Sequence, residues 1–273
     1  MVNLNNCKEE FLKYVAPYEE EYEYEKEFDG IERKKLHSLR VMEECKILSE
    51  KLGLSDEQKE IAMLIGLLHD IGRFKQYTLD NRFLNEMILD HAKLGVEVLE
   101  KDDYIKKYID DKHYIPIILK AIENHNKYKI EESLNEEELL FSKIIRDADK
   151  LDILYEGAEI YWKSKEEVER VENSKINVKV EQQFKVERPV KKCGCEKNDT
   201  VDGVLILLSY IYDINFKEAL SIVYKENFVK RILDRFNFKD EKTKKQMENL
   251  EEILQRNIIL RLRKRYKGWF EIE

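Results

Sequence analysis

Four of the five histidines in this chain, His37, His69, His91 and His125, stand on or at the end of an apolar helical stripe. His37 shares a face with Val41, Cys45 and Leu48. His69 closes the run Ile61-Ala-Met-Leu-Ile-Gly-Leu-Leu68 and is followed at once by Asp70. His91 lies one turn before Gly95 and two before Val98 and Leu99, and His125 follows Ile118 and Ile122. Asp149 sits one turn beyond Ile145, inside Arg-Asp-Ala-Asp-Lys-Leu-Asp, residues 146–152. Polar and charged groups on such stripes are costly to bury unless they are paired or bind metal. One histidine of this kind is ordinarily a hydrogen-bonded core residue. The same account is much weaker for four His and two Asp together, and a carboxylate directly after a His at the end of an apolar run is hard to justify by packing. A divalent metal would neutralise the carboxylates and fill the imidazole lone pairs.

The elements that must position these groups are helices. Asp29 and Glu32 make a D-x-x-E start, Ser55 and Gln58 a capping box, Asn135 and Glu138 an N-x-x-E start, and Pro116 suits a first turn. The patterns predict helices over roughly 31–52, 56–71, 87–101, 114–127 and 136–163, with Asn81–Asn85 as a loop. Between 163 and 200 Ile176, Val178 and Val180 alternate with polar residues, as do Phe184 and Val186, and Pro189 and Gly194 punctuate the end. Period two predicts an extended hairpin or irregular insertion there, with a lid as its functional version. Helical periodicity returns over 201–213, after Asn215 and Glu218, and over roughly 240–266. The reading divides the chain into a core over 1–162, an insertion over 163–200, and C-terminal helices over 201–273 that pack on the core, partly close its pocket or form a homodimer contact.

Composition agrees with an all-α class. Nine Gly and three Pro in 273 residues are about 4%, against roughly 12% in ordinary usage, too few for a turn-dense β-sandwich. Hydrophobic residues make up 42% and charged residues 39%, enough for a core under solvated helix faces. The net charge of −8 disfavours broad nucleic-acid binding, which needs surplus Lys and Arg, yet permits a small phosphorylated ligand. The apolar runs Ile61–Leu68 and Val204–Tyr212 are far short of the roughly 20 residues that span a bilayer. No signal peptide is read at the N-terminus, and the four Cys, at 7, 45, 193 and 195, form no disulfide framework. The cytoplasm is the expected compartment. Cys193-Gly-Cys195 cannot alone complete a zinc site; Arg261, Arg263, Lys264, Arg265 and Lys267 read as a solvated helix end, and His113 as a surface residue.

The ordered set His37, His69-Asp70, Asp149 resembles the H…HD…D signature of the HD superfamily of metal-dependent phosphohydrolases. Leu68-His69-Asp70-Ile71-Gly72-Arg73 is similar to the family's LHDIGK/R segment, and Ala148-Asp149-Lys150-Leu151 to its AD-[KR]-L close, over roughly residues 31–160. His91-Ala-Lys-Leu-Gly95 resembles the H-x-x-x-G element of the two-metal subgroup, and Asn124-His125-Asn126 falls where that subgroup has another His. Asn124, Asn126 and Lys127-Tyr128-Lys129-Ile130 depart from the His pair and GYP string of the HD-GYP cyclic dinucleotide phosphodiesterases. The remaining pattern is similar to that of HD-type diadenosine tetraphosphate hydrolases and of the di-iron oxygenases of the same superfamily.

The resemblance implies an HD-domain helical bundle in which His37, His69, Asp70 and Asp149 hold one metal, and Asp70, His91 and His125 a second, with Asp70 bridging. These N and O donors suit Fe, Mn, Co, Ni or Zn, one or two ions per chain. The implied reaction is hydrolysis of a phosphomonoester, phosphodiester or phosphoanhydride bond of a small phosphorylated substrate, such as a nucleotide, by a metal-bound hydroxide. Asp70 and Arg73 would be catalytic, and Arg73, Lys93, Asn126 and Lys150 are candidates for substrate binding. Lys150 competes with a salt-bridge reading, and Asp147 with an ion pair to Arg146 or Lys150. Two alternatives are a di-iron oxygenase on the same site and a nucleotide-binding HD module without turnover.

Overall fold

Scarce breakers and recurrent N-terminal caps give a chain that is helical almost throughout. The computed structural model describes residues 2–22, 30–80, 90–191, 199–264, 266–267 and 270–271. Two compact units emerge, Met1–Asp149 and Lys150–Glu273. The first contains α1 (Leu4–Tyr22), α2 (Gly30–Lys51), α3 (Asp56–Leu68), α4 (Ile71–Asp80), α5 (His91–Glu100), a 3-10 segment (Lys101–Lys107) and α6 (Tyr114–Asn124). Helix α7 (Glu136–Glu159) contains the division. The second unit continues with α8 (Lys165–Asn173), α9 (Val178–Lys185), α10 (Val201–Ser209), a 3-10 turn (Tyr210–Asp213), α11 (Lys217–Lys225), α12 (Phe228–Leu233) and α13 (Glu241–Arg263). Among the described residues, the one departure from an all-α fold is a minimal antiparallel pair, β1 (Tyr266–Lys267) and β2 (Phe270–Glu271), with Tyr266 opposite Glu271.

The first unit is built on α3, whose residues from Ile61 to Leu68 are all buried. Ser55 and Gln58 close the expected capping box at its start, and Asn135 and Glu138 exchange the same reciprocal bonds at the start of α7. α3 lies against α2 at Gly66, where a Cβ would meet Cys45 Sγ and Met42 Cα at 2.9 Å. Only glycine lets the two helices approach this closely.

Several expectations are corrected. Residues 163–200 hold no hairpin among those described, but two helices. α8 begins with a Ser164–Glu167 capping box, and Asn177 caps α9 by accepting from Lys179 N at 2.9 Å. Val180 and Phe184, four residues apart, are buried, whereas Val178 and Val186 are 63% and 62% exposed. The alternation that suggested a strand is therefore one buried i, i+4 pair between exposed neighbours. The helix expected over 56–71 ends at Leu68 and a new one, α4, begins at Ile71. Helix α1 had no counterpart in the sequence reading, and Phe216, not Asn215, precedes α11. The expected loop Asn81–Asn85 and the pair Cys193 and Cys195 lie outside the described residues.

How the helices stop is unusual for so glycine-poor a chain. Gly53, just beyond α2, is the single glycine with positive φ among the described residues. Three other ends are closed by arginines that reach in from elsewhere. Arg146 donates to the carbonyls of Asn124, His125 and Lys127 at the end of α6. Arg235 donates to those of Gly157, Ala158, Tyr161 and Trp162 past α7. Arg261, in the run read as a solvated helix end, instead donates to Ile211, Tyr212 and Ile214 at the Tyr210–Asp213 turn. A guanidinium satisfies orphan carbonyls and complements the negative end of the helix dipole.

Candidate metal centre

Within the first unit, five elements present His and Asp side chains to one point. α2 supplies His37, the break between α3 and α4 supplies His69 and Asp70, α5 begins with His91, His125 caps the end of α6, and α7 carries Asp149. On an unbroken helix successive side chains point about 100° apart. Regular helix is interrupted between Leu68 and Ile71, and the two side chains meet, with His69 Nε2 3.6 Å from Asp70 Oδ2.

Asp70 is the hub. Its Oδ2 lies 3.6 Å from Nε2 of both His37 and His69, while Oδ1 lies 3.4 Å from Nε2 of His91 and 3.6 Å from that of His125. Asp149 Oδ1 closes the first side, 3.2 Å from His37 Nε2 and 3.7 Å from His69 Nε2. Two buried clusters result, His37-His69-Asp70 and Asp70-His91-His125, each with ligand atoms within 4.8 Å of one another. The expected ligands His37, His69, Asp70, His91, His125 and Asp149 are all brought together.

The donor set itself tests whether a cation fits. His69 Nδ1 donates to Gly66 O at 2.8 Å and His125 Nδ1 to Ile122 O at 2.7 Å. Each Nε2 therefore carries a lone pair, and a backbone acceptor behind the ring is the arrangement typical of metal-bound histidine. Yet Nε2 of His69 lies 3.3 Å from Nε2 of His37, and Nε2 of His125 lies 3.1 Å from Nε2 of His91. Asp70 Oδ1 is buried and has no hydrogen bond. Lone pairs and a bare carboxylate oxygen converging in a buried space are a fit for divalent ions, one or two per chain.

The electrostatics agree. Burial pushes the Asp70 carboxyl up, but Lys34, His69, His125 and Arg73 outweigh it and hold the group well below the usual carboxylate range. Burial opposes ionisation of Asp149 too, and the neighbouring His37 and His69 override it, holding it well below the usual carboxylate range. Burial drives His91 well below the ordinary imidazole value and lowers His69, against the pull of Asp70. Ionised carboxylates beside neutral imidazoles are the protonation states that bind metal.

Two cations flank Asp70. Arg73 Nε is 3.5 Å from Oδ1, and its Nη1 donates to buried Gln76 at 3.1 Å. Lys34 Nζ is 2.8 Å from Oδ2. Lys34 was missed by the sequence reading, although it stands three residues before His37 on the same face of α2. The other candidates make contacts of a different kind. Lys93 is exposed, about 200° around α5 from His91. Asn126 donates to Asp90 Oδ1 at 2.7 Å and lies 3.5 Å from His91 Nδ1, so it braces the start of α5. Lys150, in the second unit, forms a largely buried ion pair with Asp213 at 2.8 Å, in line with the competing salt-bridge reading but with a different acid. His113 is exposed and pairs with Glu137, as a surface residue would.

Gly72, two residues past Asp70, explains the spacing of the motif residues that follow. A Cβ there would lie 2.9 Å from Gly95 Cα and closer still to Gly95 N and the carbonyl oxygen of His91. Gly72 is thus needed for α4 to lie directly on α5 and bring His91 to Asp70, whereas a Cβ at Gly95 would meet only ordinary contacts of 3.4–3.7 Å.

The family model for the HD domain matches residues 36–154, a span that includes every residue of the two clusters. No curated protein and no solved structure was found to be similar to the chain. The chain carries an HD domain whose intact clusters are consistent with a two-metal phosphohydrolase and support metal-dependent hydrolysis. Among the described residues, no helix is long and apolar enough to cross a membrane.

Proposed function

We propose that the protein hydrolyses a phosphoester or phosphoanhydride bond of a small phosphorylated molecule, a nucleotide, with the metal ions held by His37, His69, Asp70, His91, His125 and Asp149. The observation that carries this reading is the division of Asp70, one oxygen toward each histidine pair. Divalent ions bound there would act as Lewis acids toward phosphoryl oxygens and lower the pKa of water. The remaining work falls to the chain. Arg73, held by Gln76, can grip two phosphoryl oxygens through its planar fork. Lys34 adds a point charge on the opposite carboxylate oxygen of Asp70. Nucleotide specificity rests on the resemblance to nucleotide-hydrolysing HD enzymes.

The test is metal analysis of protein purified without chelator, run beside a panel of p-nitrophenyl phosphate, nucleotides and dinucleotides with Mn, Co, Ni, Fe, Zn or Mg added. About two ions per chain with phosphate release from a nucleotide is the expected result, and Asp70→Ala should lose metal and turnover together. Full activity in that variant overturns the reading. So does a protein that holds two irons, consumes O2 and releases no phosphate, or one that binds a nucleotide saturably without product over hours.

A further inference from the structure

We infer that Arg146 is a positioning residue for the second cluster, fixing His125 against Asp70; this rests on the two-metal reading above. Arg146 is buried, and its Nη1 donates to Asn124 O at 2.9 Å, His125 O at 3.2 Å and Lys127 O. One nitrogen thus holds the backbone turn whose central side chain is a ligand. The flanks of that turn are held as well. Asn124 accepts from Glu131 N at 3.1 Å and donates to Lys120 O at 3.0 Å, while Asn126 donates to Asp90.

The backbone of His125 itself lies at a helix end. His125 is the C-cap of α6, directly after Asn124, where the carbonyls have run out of intrahelical partners. Its Nδ1 holds onto Ile122 O, inside the same turn, so the ring moves with the backbone that Arg146 secures. In the first cluster His37 stands in mid-α2, while His69 caps α3 as His125 caps α6, each with Nδ1 on the carbonyl three residues back. What sets the His125 turn apart is the guanidinium of Arg146 on its carbonyls. Arg146 also stands one turn before Asp149 on α7. A single helix therefore contributes a ligand to one cluster and the brace for the other. Loss of the guanidinium leaves carbonyls unsatisfied and frees the turn, so its effect falls on the second ion.

Arg261 provides the control, because it caps a turn in the same manner but carries no ligand. The experiment compares the parent protein with Arg146→Gln, Arg146→Lys and Arg261→Gln. Co(II) is titrated into chelator-treated protein, followed by calorimetry and by its visible absorption, and Tm is recorded for each. The parent should bind two ions. Arg146→Gln should keep the first and bind the second at least ten-fold more weakly, in the range expected when the support of a ligand is lost. Arg146→Lys should recover part of that loss, and Arg261→Gln should lower Tm with both ions retained. Two ions bound at parental affinity by folded Arg146→Gln overturn the inference, as does equal weakening of both ions. If Arg146→Gln does not fold, the same two outcomes are read on Arg146→Lys. A parent that takes up fewer than two ions overturns the two-metal reading itself, and this is seen before any substitution is compared.

Discussion

Gly72→Ala is the sharpest probe of the centre, because it adds one methyl group and removes no ligand. The new Cβ would sit 2.9 Å from Gly95 Cα, where carbon atoms pack best about 3.5–4.0 Å apart. α4 and α5 must then part by at least about 0.6–1.1 Å, and by more to clear the closer His91 carbonyl oxygen. The nearest obstacles are backbone atoms, among them the carbonyl oxygen of His91, so no side chain can rotate away. His91 Nε2, now 3.4 Å from Asp70 Oδ1, retreats with its backbone. Overpacking of this kind costs about 1–3 kcal/mol, a fall in Tm of roughly 2–12 °C for a chain of this size. A displacement near 1 Å at a reacting centre costs on the order of 10²-fold in rate. The assay is phosphate release with the best substrate of the panel, alongside thermal melts and metal content. Folded Gly72→Ala protein with parental rate and two ions per chain would refute the tight α4–α5 contact as the device that sets His91.

Three further outcomes are expected. Lys34→Met should bind Co(II) more tightly, since the ammonium now 2.8 Å from Asp70 Oδ2 no longer competes for that oxygen, and should raise KM for the phosphorylated substrate; isothermal titration and initial rates read both. Metal-free protein should lose Tm as the pH falls below about 6.5, because unfolded His69 and His91 take up protons that the folded state resists, and again near pH 4, where unfolded Asp70 and Asp149 protonate first. Melts in chelator from pH 8 to pH 4 test this, and a flat profile contradicts it. Adding back metal at 100 times its Kd should stabilise the protein by about 2.7 kcal/mol, or roughly 5–10 °C, in thermal melts.

Much of the centre was legible because its ligands stand where apolar residues belong. Asp70 after an eight-residue apolar run has no packing rationale, and the structure places it at the middle of the site. Lys34 was legible by the same spacing rule, three residues before His37, but a lysine in the run Arg33-Lys34-Lys35 looks like any solvated charge. Arg146 entered the sequence reading only as one of two alternative ion-pair partners of Asp147, beside Lys150. It also donates to carbonyls about 20 residues earlier, and backbone acceptors leave no mark on side-chain patterns. The segment after 163 was misread because in a helix as short as α9 alternate residues and an i, i+4 pair coincide. The Ser164-x-x-Glu167 box was the signal that could have settled the choice.

Arginine closure of helix ends has a consequence for how the chain folds and how long it stays folded. A glycine stops a helix locally, as soon as the turn forms. Here the donors lie 22, 78 and 50 residues away along the chain from acceptors in α6, past α7 and in the Tyr210–Asp213 turn. Such ends become definite only when distant helices have docked, after the loop-closure entropy has been overcome. A peptide covering α6 alone would fray at the residue that becomes His125. Interactions that form late act mainly on the unfolding rate, so these three arginines are latches on the finished structure. Removing any of them should shorten the native lifetime far more than it slows folding.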